Sequence, residues 1–224
     1  MNVLVVSKPA GLLSQGGARD GTPGGTDEPN LVTWAQGYLG RPYVGLVHRL
    51  DRNTSGLMVL GKRSKSADRL TQALQSGDLT RVYLAWLVGR LTGPTQWQHW
   101  ILKDEKTNTS RVVGRNERSA PKPGAKSAAL KVTPVDYGRL GLAELTLAEF
   151  QLETGRSHQI RVQSSYEGFP LLGDAKYSAG KSMPDFSRPA LHSSKLSFPH
   201  PITKERLSFE EPLPQDMEHL RKAP

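Results

Sequence analysis

Apolar positions in this chain fall into short runs, and most runs are bounded by Gly, Pro, Asn or Ser. Val3–Val6, Leu57–Leu60 and Arg81–Val88 are the clearest, with further runs at Thr95–Leu102, Ser110–Val113, Ala128–Tyr137 and Leu142–Leu152. Runs of this length between turn residues predict strands. Leu57–Leu60 has no polar interruption, and Arg81–Val88 is apolar at both odd and even positions. Both therefore read as strands buried on two faces. Helical spacing is confined to a few places. Leu31–Leu39 reads as a short helix with Asn30 as its cap. Ser64–Gln75 is a second: Ala67, Leu70 and Leu74 share a face, Ser64 can cap, and Gly77 stands where a helix stops. Prolines at 199, 201, 212 and 214 cut the C-terminal region into short extended pieces, and Gln215–Lys222 predicts a last short helix.

Many strands, few short helices and no regular strand–helix alternation argue for an α+β fold. Its central sheet is expected to be mixed and largely antiparallel, flanked by short helices and loops. No linker is long enough to demand two independent domains, so residues 1–224 are expected to form a single domain. Ser14 to Pro29 is rich in glycine and nearly free of apolar residues. It contains neither G-x-x-x-x-G-K-[ST] nor G-x-G-x-x-G, so it reads as a flexible surface loop rather than a phosphate cradle.

Charge narrows the partners. Thirty Lys and Arg against 21 Asp and Glu give a net charge of +9, which favours a polyanion, either nucleic acid or an anionic membrane surface. Arg115, Arg118, Lys122 and Lys126 punctuate a proline-containing loop; it reads as a solvated connection whose charges also suit a phosphate backbone. The absence of cysteine excludes disulfides, thiolate nucleophiles and Cys-based zinc sites. No apolar run approaches a membrane span, and the N-terminus reads as a strand rather than a signal peptide. A cytoplasmic protein is the default expectation.

The most informative string is His48-Arg49-Leu50-Asp51-Arg52-Asn53-Thr54-Ser55-Gly56-Leu57. It sets a carboxylate between two arginines at the entrance to a buried strand. If desolvated, Asp51 needs a cationic partner to stay ionised. On the residues alone, the plainer reading is a turn aspartate that hydrogen-bonds local amides. Likewise Tyr83 in a strand reads first as core, and Arg156 beside Gly155 reads equally as a turn arginine. His48, His158 and His192 lack the spacing of a metal site, so no metal is expected. Asp174 could pair with Asp51 as in a glycoside hydrolase, but after Gly173 it reads better as a turn residue.

The full Asp51 string resembles the catalytic loop of the RluA/RsuA-type pseudouridine synthases. Four further segments resemble that family in order: Lys8-Pro9-Ala10-Gly11, Arg81-Val82-Tyr83-Leu84-Ala85, Leu152 to Arg161, and Gly173-Asp174-Ala175-Lys176-Tyr177 with Leu191-His192 beyond. The resemblance implies a pseudouridine synthase fold with a catalytic cleft and an isomerase of ribosomal or transfer RNA, with Asp51 as its catalytic carboxylate. It implies Tyr83 under the target base, Arg156 as counter-charge to Asp51, and Arg49 as the residue filling the vacated stack. It marks Lys8, His48, Arg52, Thr54 and Arg161 as substrate- or RNA-binding, beside Arg115, Arg118 and Lys122. The chemistry needs neither cofactor nor metal, and DNA and membrane are not expected partners. No S4-like domain precedes residue 1, so RNA affinity is expected from the catalytic domain alone, acting as a monomer. Where the family often carries a histidine after Val162, this chain has Gln163, a change expected to touch local packing only. An RNA-binding or ribosome-assembly module on the same fold is the alternative.

Overall fold

The structure, a computed structural model, describes residues 2–16, 28–115, 118, 120–178 and 186–222. Most of the glycine-rich loop expected over 14–29 lies outside the described residues. The chain falls into two compact units, Met1–Arg81 with Ser193–Pro212 and Val82–His192 with Leu213–Pro224. The expected α+β class holds: strands pair mostly antiparallel, and the helices are few and short. Among the described residues, no helix is long and apolar enough to cross a membrane.

In the first unit, β1 (Val3–Lys8) runs antiparallel to β3 (Ser55–Gly61) in the register Val3↔Gly61 to Lys8↔Gly56. A two-residue strand β2 (Gly45–Leu46) also pairs β3. Every residue of β3 is buried, as its unbroken apolar sequence predicts. β9 (Leu191–Pro199) follows β3 in the strand order and pairs antiparallel with β10 (Arg206–Glu210). The core beneath them gathers Val47, Leu57, Val59, Leu196 and Phe198 against Leu70 and Ala73 of α2 (Ser64–Ser76). α1 (Leu31–Leu39) has the bounds its sequence predicts, and the Asn30 side chain accepts from Thr33 N–H at 3.0 Å. The cap expected at Ser64 is displaced by one residue. Arg63 holds the extended N-cap conformation and Ser64 lies inside the helix, so α2 starts without a side-chain cap bond.

The second unit carries β4 (Thr80–Val88), β8 (Ala143–Leu152), β7 (Lys126–Leu140), β5 (Thr95–Asp104) and β6 (Thr109–Arg115), in that spatial order. β7 and β8 form a long hairpin that tolerates Pro134 because the register shifts between Pro134 and Asp136. A proline lacks the ladder's N–H donor, and an irregularity removes the need for one. One cluster of buried residues joins Trp86, Leu145, Leu147, Leu172 and Phe186 to Met217 and Leu220; the Trp86 indole N–H donates to the Met217 carbonyl at 2.9 Å. Met217 lies in α4 (Gln215–Glu218), which continues as a 3₁₀ turn over His219–Lys222, as the sequence predicts. α3 (Gln159–Tyr166) is an element the sequence does not announce.

Helix α2 lies so close to β3 that a Cβ on Gly61 would sit 2.6 Å from the Ala67 nitrogen and 2.7 Å from its Cα. Backbone cannot yield as a flexible side chain can, so Gly61→Ala is expected to destabilise the fold by roughly 1–3 kcal/mol. Gly93→Ala, where no atom lies within 4 Å, is the matched control. Urea denaturation of the two variants checks this; equal midpoints would contradict the close approach.

Candidate active site

Asp51 sits in the connection from β2 to β3, and that connection is tied down by buried polar groups of the first unit. Ser14 is the first. Its hydroxyl donates to the Leu50 carbonyl at 2.7 Å and accepts from the Leu50 N–H at 3.0 Å. Lys8 is the second. Its ammonium donates to the carbonyls of Pro9, Leu12 and Arg52 at 2.9, 2.7 and 3.0 Å. Gly11 N–H also reaches the Arg52 carbonyl, at 2.9 Å. The Asp51 carbonyl accepts from Thr54 N–H at 3.0 Å, which closes a turn around the acid. Asp51 itself is half-buried.

His48 completes the framework. Its Nε2 accepts from Val59 N–H at 3.3 Å, so in the neutral ring the proton resides on Nδ1. Burial, and secondarily the positive Arg81, lower its pKa from 6.5 to about 3. The ring is therefore neutral at any physiological pH.

Lys8 is completely buried, and His48 and Thr54 are buried as well. Ser14 corrects one expectation: read as the start of a flexible loop, it is a buried clamp. Arg49 and Arg52 are exposed, as RNA contacts require. Arg52 also donates through Nε to the Gly11 carbonyl at 3.1 Å and forms an ion pair with Glu28.

The second unit holds Tyr83 and Arg156. Tyr83 is buried in β4 opposite Phe150 of β8. Arg156 lies in the turn between β8 and α3, half-buried. Its Nε donates to the Ser127 carbonyl at 2.7 Å, and the paired Nη groups make no hydrogen bond inside that unit among the described residues. The turn is shaped by Gln159, which sequence reasoning passes over. The Gln159 Oε1 accepts from the Arg156 N–H at 2.9 Å and from the Thr154 hydroxyl at 2.8 Å, while its Nε2 donates to the Ala129 carbonyl at 3.1 Å. Next to it His158 adopts a left-handed conformation, φ 54°. The Tyr177 hydroxyl accepts from Ser110 N–H at 2.8 Å and shares a hydrogen bond with His158 Nδ1, 2.7 Å away.

The Arg161 guanidinium grips completely buried Asp174 in a bidentate pair, Nε to Oδ2 at 2.7 Å and Nη2 to Oδ1 at 2.8 Å. Asp174 also accepts from the Lys176 N–H at 3.1 Å, the turn role its sequence suggests. Arg115, Arg118 and Lys122 are exposed, and Arg115 pairs with Glu167 at 3.2 Å. The Glu167 carboxylate also meets His99 Nε2 at 2.8 Å, and Gln163 Nε2 donates to His99 Nδ1 at 2.7 Å. Gln163 thus answers a buried histidine.

The neutral His48 makes the fold acid-sensitive. Between pH 6.5 and about 3 the unfolded chain takes up a proton that the folded ring refuses. The His48 contribution is whole above pH 6.5 and is lost as the pH falls through that window, by up to about 1.4 kcal/mol per pH unit. Urea titrations across that range are expected to show a shallower acid slope for His48→Asn than for the unaltered chain; identical slopes would refute the assignment.

Residues 2–166 match the family model described as RNA pseudouridylate synthase, a span that includes Asp51, Tyr83 and Arg156. The chain is 36% identical over 231 residues to the ribosomal large subunit pseudouridine synthase D of Vibrio vulnificus, covering 98% of this chain and 67% of that protein. It is 35% identical over 228 residues to the Bacillus subtilis protein called uncharacterized RNA pseudouridine synthase YlyB, covering 99% of this chain and 71% of that one. The human RNA pseudouridylate synthase domain containing 4 has the same fold, with a TM-score of 0.73 at 23% identity, covering 97% of this chain and 88% of that one. The sequence match over most of the chain, at these identities, makes it a member of the RNA pseudouridylate synthase family and an isomerase by class.

Proposed function

We propose that this chain converts specific uridines of ribosomal or transfer RNA to pseudouridine, with Asp51 as the catalytic carboxylate and residues 1–224 acting as one catalytic module. The observation that carries the reading is the treatment of the Asp51 loop. Lys8, Ser14 and His48 spend buried hydrogen bonds on the backbone around a half-buried acid. Rigid placement of one carboxylate is what a reaction without cofactor demands of its protein. The names of relatives in Vibrio and other bacteria favour the large ribosomal RNA as the first substrate to test.

The reaction breaks the bond from the ribose C1′ to N1 of uracil, turns the base, and forms a bond from C1′ to C5. The C5 proton leaves to solvent and N1 takes one up, so nothing is oxidised or reduced. A uridine within a helix has to leave its stack first. In this reading exposed Arg49 fills the gap, Tyr83 serves the flipped base as its platform, and Arg156 serves as the counter-charge to Asp51. Asp51 then acts on the ribose, as nucleophile or as base; either role needs the ionised form. Arg115, Arg118 and Lys122 contribute phosphate contacts.

The experiment is incubation of the purified chain with ribosomal and transfer RNA carrying C5-tritiated uridine. Tritium release matched by pseudouridine in the nuclease digest, with no free uracil, is the expected result. Arg156→Lys is expected to slow release by about tenfold or more, because an ammonium cannot reproduce the guanidinium fork. Free uracil would mark a hydrolase, and RNA binding without tritium release would mark an assembly module; either outcome overturns the reading.

A further inference from the structure

The first unit displays an aromatic surface that the catalytic loop does not use. α1 buries Leu31 and Ala35 and turns Trp34 and Tyr38 outward, 51% and 68% exposed. The two rings lie one helical turn apart and stack face to face, with centroids 5.3 Å apart and planes 10° from parallel. Gly37 lies on the same face by helical spacing, and no atom comes within 4 Å of where its side chain would be. Glycine inside a helix costs about 1 kcal/mol relative to alanine. What it leaves is a flat, open ledge beside the stack.

Basic residues follow α1 and open α2, the latter with exposed Asp68 among them. Arg41 follows the C-cap Gly40 and is exposed. Tyr43, 45% exposed, has its hydroxyl 2.7 Å from the Cβ position of Gly45, and Ala67 Cβ crowds that same position. Tyr43 therefore stands beside the beginning of α2, where Arg63 and Lys65 are exposed. Glu28, the nearest acid before α1 among the described residues, is engaged with Arg52.

We infer that the Trp34–Tyr38 stack is a platform for an unpaired base of the RNA substrate, outside the nucleotide that is isomerised, with Arg41, just past the end of the same helix, holding an adjoining phosphate. The inference rests on the RNA reading above and extends it to a second contact. Parallel exposed rings offer a base the π-face on which stacking depends, and every base can use it. Exposed Arg41 and the net charge of +9 select a polyanion over a neutral protein surface. A recognition site of this kind would prefer a loop or bulge near the target over continuous duplex.

The test uses the whole chain, single-stranded poly(U) and poly(A) oligonucleotides, and a duplex of the same length. Of the four tryptophans, Trp86 and Trp97 are buried, Trp100 is half-buried and Trp34 is exposed, so the difference in emission between the unaltered chain and Trp34→Leu reports the platform. Single-stranded RNA is expected to quench the emission, and Trp34→Leu is expected to remove the larger part of that quenching. Trp34→Leu with Tyr38→Leu should weaken single-strand binding roughly tenfold while duplex binding is unchanged. The same pair should raise KM without changing kcat, and Trp34→Phe with Tyr38→Phe should restore affinity. Undiminished single-strand affinity in the leucine pair would overturn the inference. So would a leucine pair that keeps its RNA affinity but changes from dimer to monomer by light scattering, because the patch would then be an interface between copies. Quenching by RNA in a chain that forms no pseudouridine would support the platform while removing the proposed activity. Tritium release without quenching would do the reverse.

Discussion

A fully buried ammonium holds the Asp51 loop in shape. Removing a charge from water is expensive unless hydrogen bonds replace the lost solvation. Lys8 achieves this with three carbonyls, and those carbonyls belong to Pro9, Leu12 and Arg52. One side chain at the end of β1 thereby fastens the Pro9–Leu12 turn to the residue following Asp51. Ser14 makes a reciprocal pair of bonds with Leu50 on the other side of the acid, and His48 caps the N–H of Val59 in β3. The loop cannot shift by a residue without orphaning several buried polar groups at once. That is the constraint on which the remainder of the account depends.

The second unit solves a related problem by other means. Arg156 sits on a turn, where backbone is easily displaced. Gln159 bonds to that turn at Thr154 and Arg156 and to the neighbouring strand at Ala129. Tyr177, His158 and Ser110 fix the entrance to α3, and the Arg161–Asp174 pair ties its first turn to the segment after Gly173. In both units a residue suited to chemistry is flanked by residues that only position it. Several of those flanking residues look equally chemical in the sequence.

That likeness explains what could and could not be read from the chain. Leu31–Leu39 was legible to the residue because a side-chain cap, an apolar face and a terminal glycine all agree. β3 was legible because an unbroken apolar run between Ser55 and Gly61 has few alternatives. The family was legible because its motifs are long strings of residue types. Direction was not. A motif string names Lys8, His48, Thr54 and Arg161 without saying that each points inward, and burial depends on partners far away in sequence. α3 was hidden because its buried face includes the polar residues Gln159, Gln163 and Ser164, and two of them, Gln159 and Gln163, are held there by side-chain hydrogen bonds that an apolar pattern does not show. Ser14 was lost in a glycine-rich context whose composition speaks for flexibility.

The central claim is that a single carboxylate, fixed by this buried scaffold, performs the isomerisation. Single-turnover conversion of uridine in ribosomal and transfer RNA by Asp51→Asn tests it most directly, with RNA affinity and urea midpoint measured on the same preparation. The account predicts unchanged affinity, an unchanged midpoint and no pseudouridine. Product formation at the rate of the unaltered chain would contradict it.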